Sequence, residues 1–371
     1  MRPIQPKQAY ESTVSPIAKE WRELVSAQEQ SGNFKTRAVY YVREMAKCLG
    51  MLLTVVVLVL RNSDAAIAST RTVAAAGVLL GLFWQQIAFF GHDVGHNSVR
   101  GIRAKSNYHL GIFVGNILQG VSIGWWKSTH NVHHVVCNSA THDPDIQHLP
   151  LLCVSEKIFN VFSQYHYRTF TLDYFARLAV MAQWLTYYPV MMIARINLYA
   201  QGIVLLVKER HTMSYYKLFT EWAGLAVFVT WYSLLVAQLP TVGLKAVFCA
   251  CATATCALLH DQIALSHWSR PVFSGRPSFG SWFEHQLSGT LNITCPPWMD
   301  WMHGGLQFQI EHHLFPRLPR HNLRKVKPVV EEFAERHGVQ YHDIGFVQAN
   351  MEILQTMWDT GVAAKAASSA V

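Results

Sequence analysis

Charged positions divide this chain into polar segments and long uncharged stretches. Residues 72–91 carry no charge over about 20 positions, the length a helix needs to cross a bilayer. Residues 222–244 and 246–266 are similarly apolar, although His260 and Asp261 lie inside the second stretch. Residues 48–60 are uncharged but short, and they span only if Lys47 and Arg61 reach out to the two interfaces. Residues 178–194 are interrupted by Pro189, and residues 196–207 read as an interfacial helix.

The pattern predicts an all-α polytopic membrane protein. Four crossings form two hairpins, roughly 48–62 with 72–91 and 220–240 with 244–266, plus interfacial helices. Residues 1–47 form a cytosolic N-terminal segment and 48–345 the membrane unit with its cap. Residues 346–371 form a C-terminal tail, expected to fray from Ala363 onward. If 178–194 crosses, the topology after it inverts.

Composition supports the membrane reading. Hydrophobic residues make up 51% of the 371 positions and charged residues 15%, against about 25% charged in a soluble domain. Disorder is excluded and an ordinary soluble enzyme disfavoured. The net charge of +8 comes from basic residues in 92–215 (Arg100, Arg103, Lys105, Lys127) and after 267 (Arg276, Arg317, Arg320, Arg324). The positive-inside rule therefore places both termini and both polar regions in the cytosol. No basic stripe with interleaved aromatics marks a nucleic-acid groove. The seven cysteines form no CxxC pair, so neither a disulfide framework nor a zinc ribbon follows, and a reducing compartment fits.

Histidine is the unusual residue, with 19 copies. His92 and His96 follow the second span, His130, His133 and His134 form a second group, and Gln309, His312 and His313 a third. On a helix, positions three and four apart share one face, so each group presents clustered donors. No His-Glu-x-x-His zincin motif occurs. Seven imidazoles and an amide exceed one zinc site and suit two ions, and imidazole accepts iron, copper or nickel as well as zinc. A pair of irons beside a bilayer suggests oxygen activation at unreactive C–H bonds. Asp93 and Glu311 are candidate partners for imidazole N–H groups. His267 is a further candidate ligand, and His260 is either another or a buried histidine paired with Asp261. The remaining histidines lack clustered spacing. Asn292-Ile293-Thr294 is a sequon, expected to face the cytosol unused. Candidate lining for a lipid slot includes Phe83, Trp84, Phe89, Phe90, Trp222, Phe228 and Trp231.

The three histidine boxes, their order and the four-span frame resemble the membrane fatty acid desaturase superfamily. Gln309 in place of the first histidine of box three resembles its front-end branch. Residues 281–326, Trp125-Trp126-Lys127 and the 143–150 run resemble delta-8 sphingolipid and delta-6 acyl desaturases. The resemblance implies a cytosolic di-iron centre, O2 as oxidant and cytochrome b5 with its reductase as electron donor. It implies iron ligands at His92, His96, His130, His133, His134, His267, His312 and His313, with Gln309 close to the metal. Seven of these, all but His267, are the catalytic set. The product would be a double bond near the head-group end of a sphingolipid long-chain base, in a membrane of the endoplasmic reticulum. The alternatives are a delta-6 or delta-5 acyl desaturase, a lipid hydroxylase or a histidine-rich metal transporter. The family's fused cytochrome b5 domain has a His-Pro-Gly-Gly haem motif that does not occur here, so the resemblance implies either a domain missing from this gene or a separate donor protein. Arg317, Arg320, Arg324, Lys325 and Lys327 are expected to receive it or to contact anionic lipid.

Overall fold

The computed structural model describes residues 15–100, 105–275 and 280–367. Arg103, Arg276 and the end of the tail lie outside the described residues. The chain runs through α1 (Pro16–Gln30), then a hairpin of α2 (Ala38–Arg61) and α3 (Thr70–Gly95). A short α4 (Ser106–Gly111) continues into a π-helical stretch, Ile112–Ile117, before α5 (Ile123–Val136). Strands β1 (Val161–Ser163) and β2 (Arg168–Phe170) pair antiparallel. Four helices follow: α6 (Tyr174–Lys208), α7 (Tyr215–Ala237), α8 (Val242–Thr255) and α9 (Ala257–Leu265). The cap is completed by α10 (Trp282–Gly289), β3 (Asn292–Thr294), α11 (Asp300–His303), α12 (Gln309–Leu314), α13 (Leu323–Arg336), β4 (Asp343–Gly345) and α14 (Phe346–Ala366). Strands β3 and β4 pair in parallel, Asn292 opposite Asp343. Among the described residues the regular structure is thus helical apart from short strands of three residues each.

Local sequence sets the helix starts. Ser69, Ser122, Asp173, Ser214 and Thr241 each accept the backbone N–H three residues on, capping α3, α5, α6, α7 and α8.

Four helices are long and apolar enough to cross a membrane: Thr70–Gly95, Tyr174–Lys208, Tyr215–Ala237 and Val242–Leu265. This set differs from the one read in the sequence. It includes α6, which runs unbroken through Pro189 for 35 residues and absorbs the expected interfacial segment. Proline is tolerated in apolar helices whose neighbours stabilise them, and α14 packs along α6. It omits α2, because every 18-residue stretch of that helix holds three charged residues.

The arrangement of the helices restores the two hairpins. Tyr41 near the start of α2 bonds Asp93 near the end of α3 at 2.7 Å, so the two helices are antiparallel and cover the same depth. The charges of α2 sit at that shared end, where Lys47 reaches Glu44 and Gln86. Helix α8 runs parallel to α3: Gly77 faces Phe248 and Gly81 faces Ala252. Since α3 and α9 both end at the cap, α7 must start there. Helix α6 leaves the cap after β2 and leads into α7, so it begins and ends on one side. Its 35 residues lie against the hairpins, with Ile193, Ile196, Ile203 and Val204 exposed.

Helices α3 and α8 approach closely because of two glycines one turn apart. A Cβ at Gly77 or Gly81 would lie 2.6 Å from the carbonyl oxygen of Phe248 or Ala252. This is the small-residue contact that membrane helices use when no hydrophobic drive separates them from lipid. Glu221 of α7 is fully buried and accepts from Gly124 N–H (2.8 Å), the Ser122 hydroxyl (2.8 Å) and the Asn116 amide (2.7 Å). A carboxylate at the N-terminus of α5 complements that helix's dipole and fixes where its histidines emerge.

Within the described residues the tail is helical past the expected onset of fraying at Ala363, with α14 continuing to Ala366. Ala349, Ile353, Met357 and Ala364 are buried in the core shared with α6, and Gly361 permits the backbone contact. Ala364, within the run that reads as frayed, supplies a small side chain to this packing.

Candidate metal centre

Three elements carry the histidine groups to one place. His92 lies in the last turn of α3 and His96 caps it. The spacing of three and four in α5 turns His130, His133 and His134 inward, all buried. Helix α12 presents Gln309, His312 and His313, also buried. His267 follows the end of α9. A side chain at Gly95 would overlap the Trp126 ring, so box one needs glycine there to reach box two.

Two groups result. The ligand atoms of His92, His96, His130 and His312 lie within 4.8 Å of one another, as do those of His133, Cys137, His267 and His313. His134 links them: its Nε2 is 3.1 Å from Nε2 of both His130 and His312, and its ring stacks on His313 at 4.2 Å. Gln309 Nε2 is 2.9 Å from His267 Nε2.

Four of the Nδ1 atoms face outward to fixed partners. His133 meets Asp143 at 2.9 Å, His130 meets Asp145 at 3.5 Å, His267 meets the Gly289 carbonyl at 3.1 Å and His313 meets the Gln286 side-chain oxygen at 2.8 Å. An imidazole that donates from Nδ1 carries its lone pair on Nε2. On the inner side, Nε2 of His92, His96 and His313 and Oε1 of Gln309 are buried without a partner. Two nitrogens bound about 2.1 Å from one ion at right angles lie about 3.0 Å apart, close to the His134 contacts. The residues therefore fit a pair of metal ions.

Electrostatics agree at six of the rings, and His133 is the exception. Burial, reinforced by neighbouring imidazoles, pushes His96, His134, His267, His312 and His313 well below the ordinary histidine range, which keeps them neutral. Burial also brings His130 down to about 4, partly opposed by Asp145. At His133 burial is outweighed by Asp143 and Asp145, which hold it up to about 9.

Several expectations change. Asp93 stands 3.8 Å from His92 Nδ1 and also bonds Tyr41 and lies 3.5 Å from Arg320, while Glu311 accepts from Tyr341 (2.6 Å) and Asn292 (2.8 Å) instead of an imidazole. His130, His133, His267 and His313 are held by Asp145, Asp143, Gly289 and Gln286. Asp143 and Asp145 belong to a run noted in the sequence only for resemblance; their distance from the boxes hid the role. Cys137 was also missed. It stands 3.5 Å from His267 Nδ1, behind the ring, and burial raises its thiol well above the ordinary range. A neutral thiol there is a poor ligand. His260 is neither in the cluster nor paired with Asp261: its Nδ1 bonds the Met191 carbonyl at 2.8 Å, while Asp261 bonds Tyr187. The Asn292 side chain is buried in the Glu311 network. Most of the expected docking cations are engaged internally. Arg320 is buried beside Glu44, Arg324 pairs with Asp300, Lys325 bonds Asn33 and Lys327 pairs with Asp343. Arg317 is exposed.

A cavity of about 240 Å³ reaches the cluster, bounded by His92, His130, His133, His267 and Gln309 at one end and by Arg195 and His260 elsewhere. Ala88, Phe89, Leu259 and Ile263 give it apolar walls. Of the aromatic residues expected to line a slot, Phe89 does so, while Trp84 stands behind Arg195.

Fold and site together define a helical membrane protein with a buried histidine cluster, able to hold metal, at the cap side of two helical hairpins. A model of the fatty acid desaturase family matches residues 69–345, and the chain belongs to that family. It is 44% identical over 291 residues to an acyl-lipid (9-3)-desaturase of Borago officinalis, covering 78% of this chain and 64% of that protein. A delta(8)-fatty-acid desaturase of Helianthus annuus is 40% identical, covering 93% of this chain and 73% of its own length. A delta 8-(E)-sphingolipid desaturase of Komagataella phaffii is 39% identical, with 76% of this chain and 53% of that protein covered. The chain thus spans about half to three quarters of these relatives.

Proposed function

We propose that this chain uses O2 to introduce a double bond near the head-group end of a sphingolipid long-chain base, at the delta-8 position. His92, His96, His130 and His312 hold one iron, and His133, His267 and His313 hold a second. His134 bridges the two groups and Gln309 stands beside the second. The observation that carries this reading is the cluster of inward-facing imidazoles, with Nε2 of His92, His96 and His313 buried and unpartnered among the described residues, beside a cavity with apolar walls.

Bound iron would supply the oxidising power to remove hydrogen from an unactivated C–H bond. The chain's own residues do the positioning. Asp143, Asp145, Gln286 and Gly289 hold the imidazoles in one tautomer and orientation. Ala88, Phe89, Leu259 and Ile263 exclude water from the lipid chain. Electrons come from a cytochrome b5 with its reductase, and the site faces the cytosol in the endoplasmic reticulum. The names of the Helianthus and Komagataella relatives support the delta-8 position. A second reading, an acyl-lipid front-end desaturase, is favoured by the 44% identity to the Borago protein.

Expression in a yeast that lacks the activity, with double-bond mapping of all lipid classes, tests the choice. The expected product is a delta-8 double bond in long-chain bases. A new double bond in acyl chains with unaltered long-chain bases would overturn it in favour of the second reading.

A further inference from the structure

Arg195 is 1% exposed in α6, a helix that is apolar over most of its length. Among the described residues no carboxylate forms an ion pair with it. Its guanidinium donates to the Gln119 carbonyl (2.6 Å), the Tyr199 hydroxyl (2.6 Å) and the Cys256 sulfur (3.9 Å), and lies over the Trp84 ring at 4.1 Å. These contacts fix the group without neutralising it, and two of its nitrogens carry more hydrogens than those contacts use. A buried ionisable group in an apolar helix marks a functional position.

His260 lies beside it. The Met191 carbonyl that receives His260 Nδ1 is one turn before Arg195. With Nδ1 donating, Nε2 is a pure acceptor, and it is buried without a partner. Both residues line the cavity that ends at the histidine cluster. Asn197 and Gln201 line the same cavity from α6, and Asn197 is exposed. They interrupt a face that otherwise exposes Ile193, Ile196, Ile203 and Val204. The cavity thus meets an apolar surface at a polar notch.

From this we infer that Arg195 and His260 are the head-group anchor of the substrate lipid, and that the pair selects a polar head offering both an acceptor and a donor. Arg195 donates to a carbonyl or hydroxyl oxygen, and His260 Nε2 accepts from an amide N–H or a hydroxyl. An amido-diol head satisfies both. An acyl ester offers oxygen acceptors only and leaves His260 buried and unmet, which is how polar sites reject analogues that lack a hydrogen-bonding group. His260 and His267 are about 10 Å apart at helical rise, so an anchored head sets which carbon of the chain lies against the metal centre. The inference rests on the desaturase reading above and assigns its substrate class to these two side chains.

The test uses purified full-length protein in detergent and measures equilibrium binding by quenching of tryptophan fluorescence. The probes are a saturated ceramide, its N-methyl and O-methyl analogues, and a phosphatidylcholine of equal chain length. Wild type should bind ceramide about tenfold more tightly than at least one methylated analogue. In His260→Leu that preference should disappear while the histidine-bound iron content stays unchanged. Arg195→Gln should weaken ceramide and both analogues alike, and Arg195→Lys should recover part of the loss. If wild type binds ceramide and both analogues equally, or His260→Leu keeps the full preference, the anchor is overturned even where ceramide is desaturated. If wild type binds phosphatidylcholine more tightly than ceramide and yields acyl products, the sphingolipid reading itself has failed. An Arg195 variant that does not fold leaves the His260 analogue comparison as the deciding result.

Discussion

The fully buried Asp143 carboxylate lies 2.9 Å from His133 Nδ1 and also accepts the backbone N–H groups of Asn138 (2.7 Å) and Asp145 (2.9 Å). One side chain therefore orients a metal-facing imidazole and closes the loop after α5. Asp143→Asn keeps the shape and part of the loop bonding but removes the charge that holds His133. Partners of this kind are worth 10- to 100-fold in metal affinity or activity. Iron content measured during dilution into chelator should fall by about that factor. Retention equal to wild type would show that Asp143 serves the loop alone.

Gly81 gives a separate prediction about the fold. A Cβ there meets the Ala252 carbonyl and the Thr255 side chain, so Gly81→Leu must push α8 away from α3. Overpacking of this sort costs about 1–3 kcal/mol. The thermal midpoint in detergent should drop clearly. Gly50 in α2 has nothing within 4 Å of its Cβ position, so Gly50→Ala should leave the midpoint unchanged or raise it. Equal behaviour of the two variants would remove the close α3–α8 contact from the account.

Cys137 tests the ligand set from the other side. Its thiol has a raised pKa and faces the Nδ1 edge of His267. Cys137→Ser should keep the full metal content. Loss of about half the iron would make the thiolate a ligand of the second group.

Gln309 replaces what would be a histidine in the third box, and its Oε1 is buried and partnerless. Gln309→His should retain iron, since imidazole is the stronger donor, while altering turnover. Iron retained together with wild-type turnover would contradict its place beside the metal.

The sequence made the three histidine boxes and His267 legible because helical spacing alone puts each group on one face. It left the supporting partners hidden. Asp143, Asp145 and Gln286 reach the imidazoles through a loop and a distant helix, and no periodicity announces such contacts. The span at 72–91 was plain from its lack of charge. Helix α6 was misread because Pro189 looked like a stop, whereas α14 packs beside it and the helix continues. The docking cations were misjudged for a different reason: acidic partners such as Glu44 and Asp300 come from other elements and neutralise them in the fold. A basic run in sequence does not reveal which of its charges stay exposed.

The most direct test of the central claim is the metal content of the purified protein, read by elemental analysis alongside the iron spectrum. The histidine arrangement predicts about two irons per chain, coupled to one another, and strong depletion in both His312→Ala and His133→Ala. A single zinc per chain, or full iron in either variant, would contradict it.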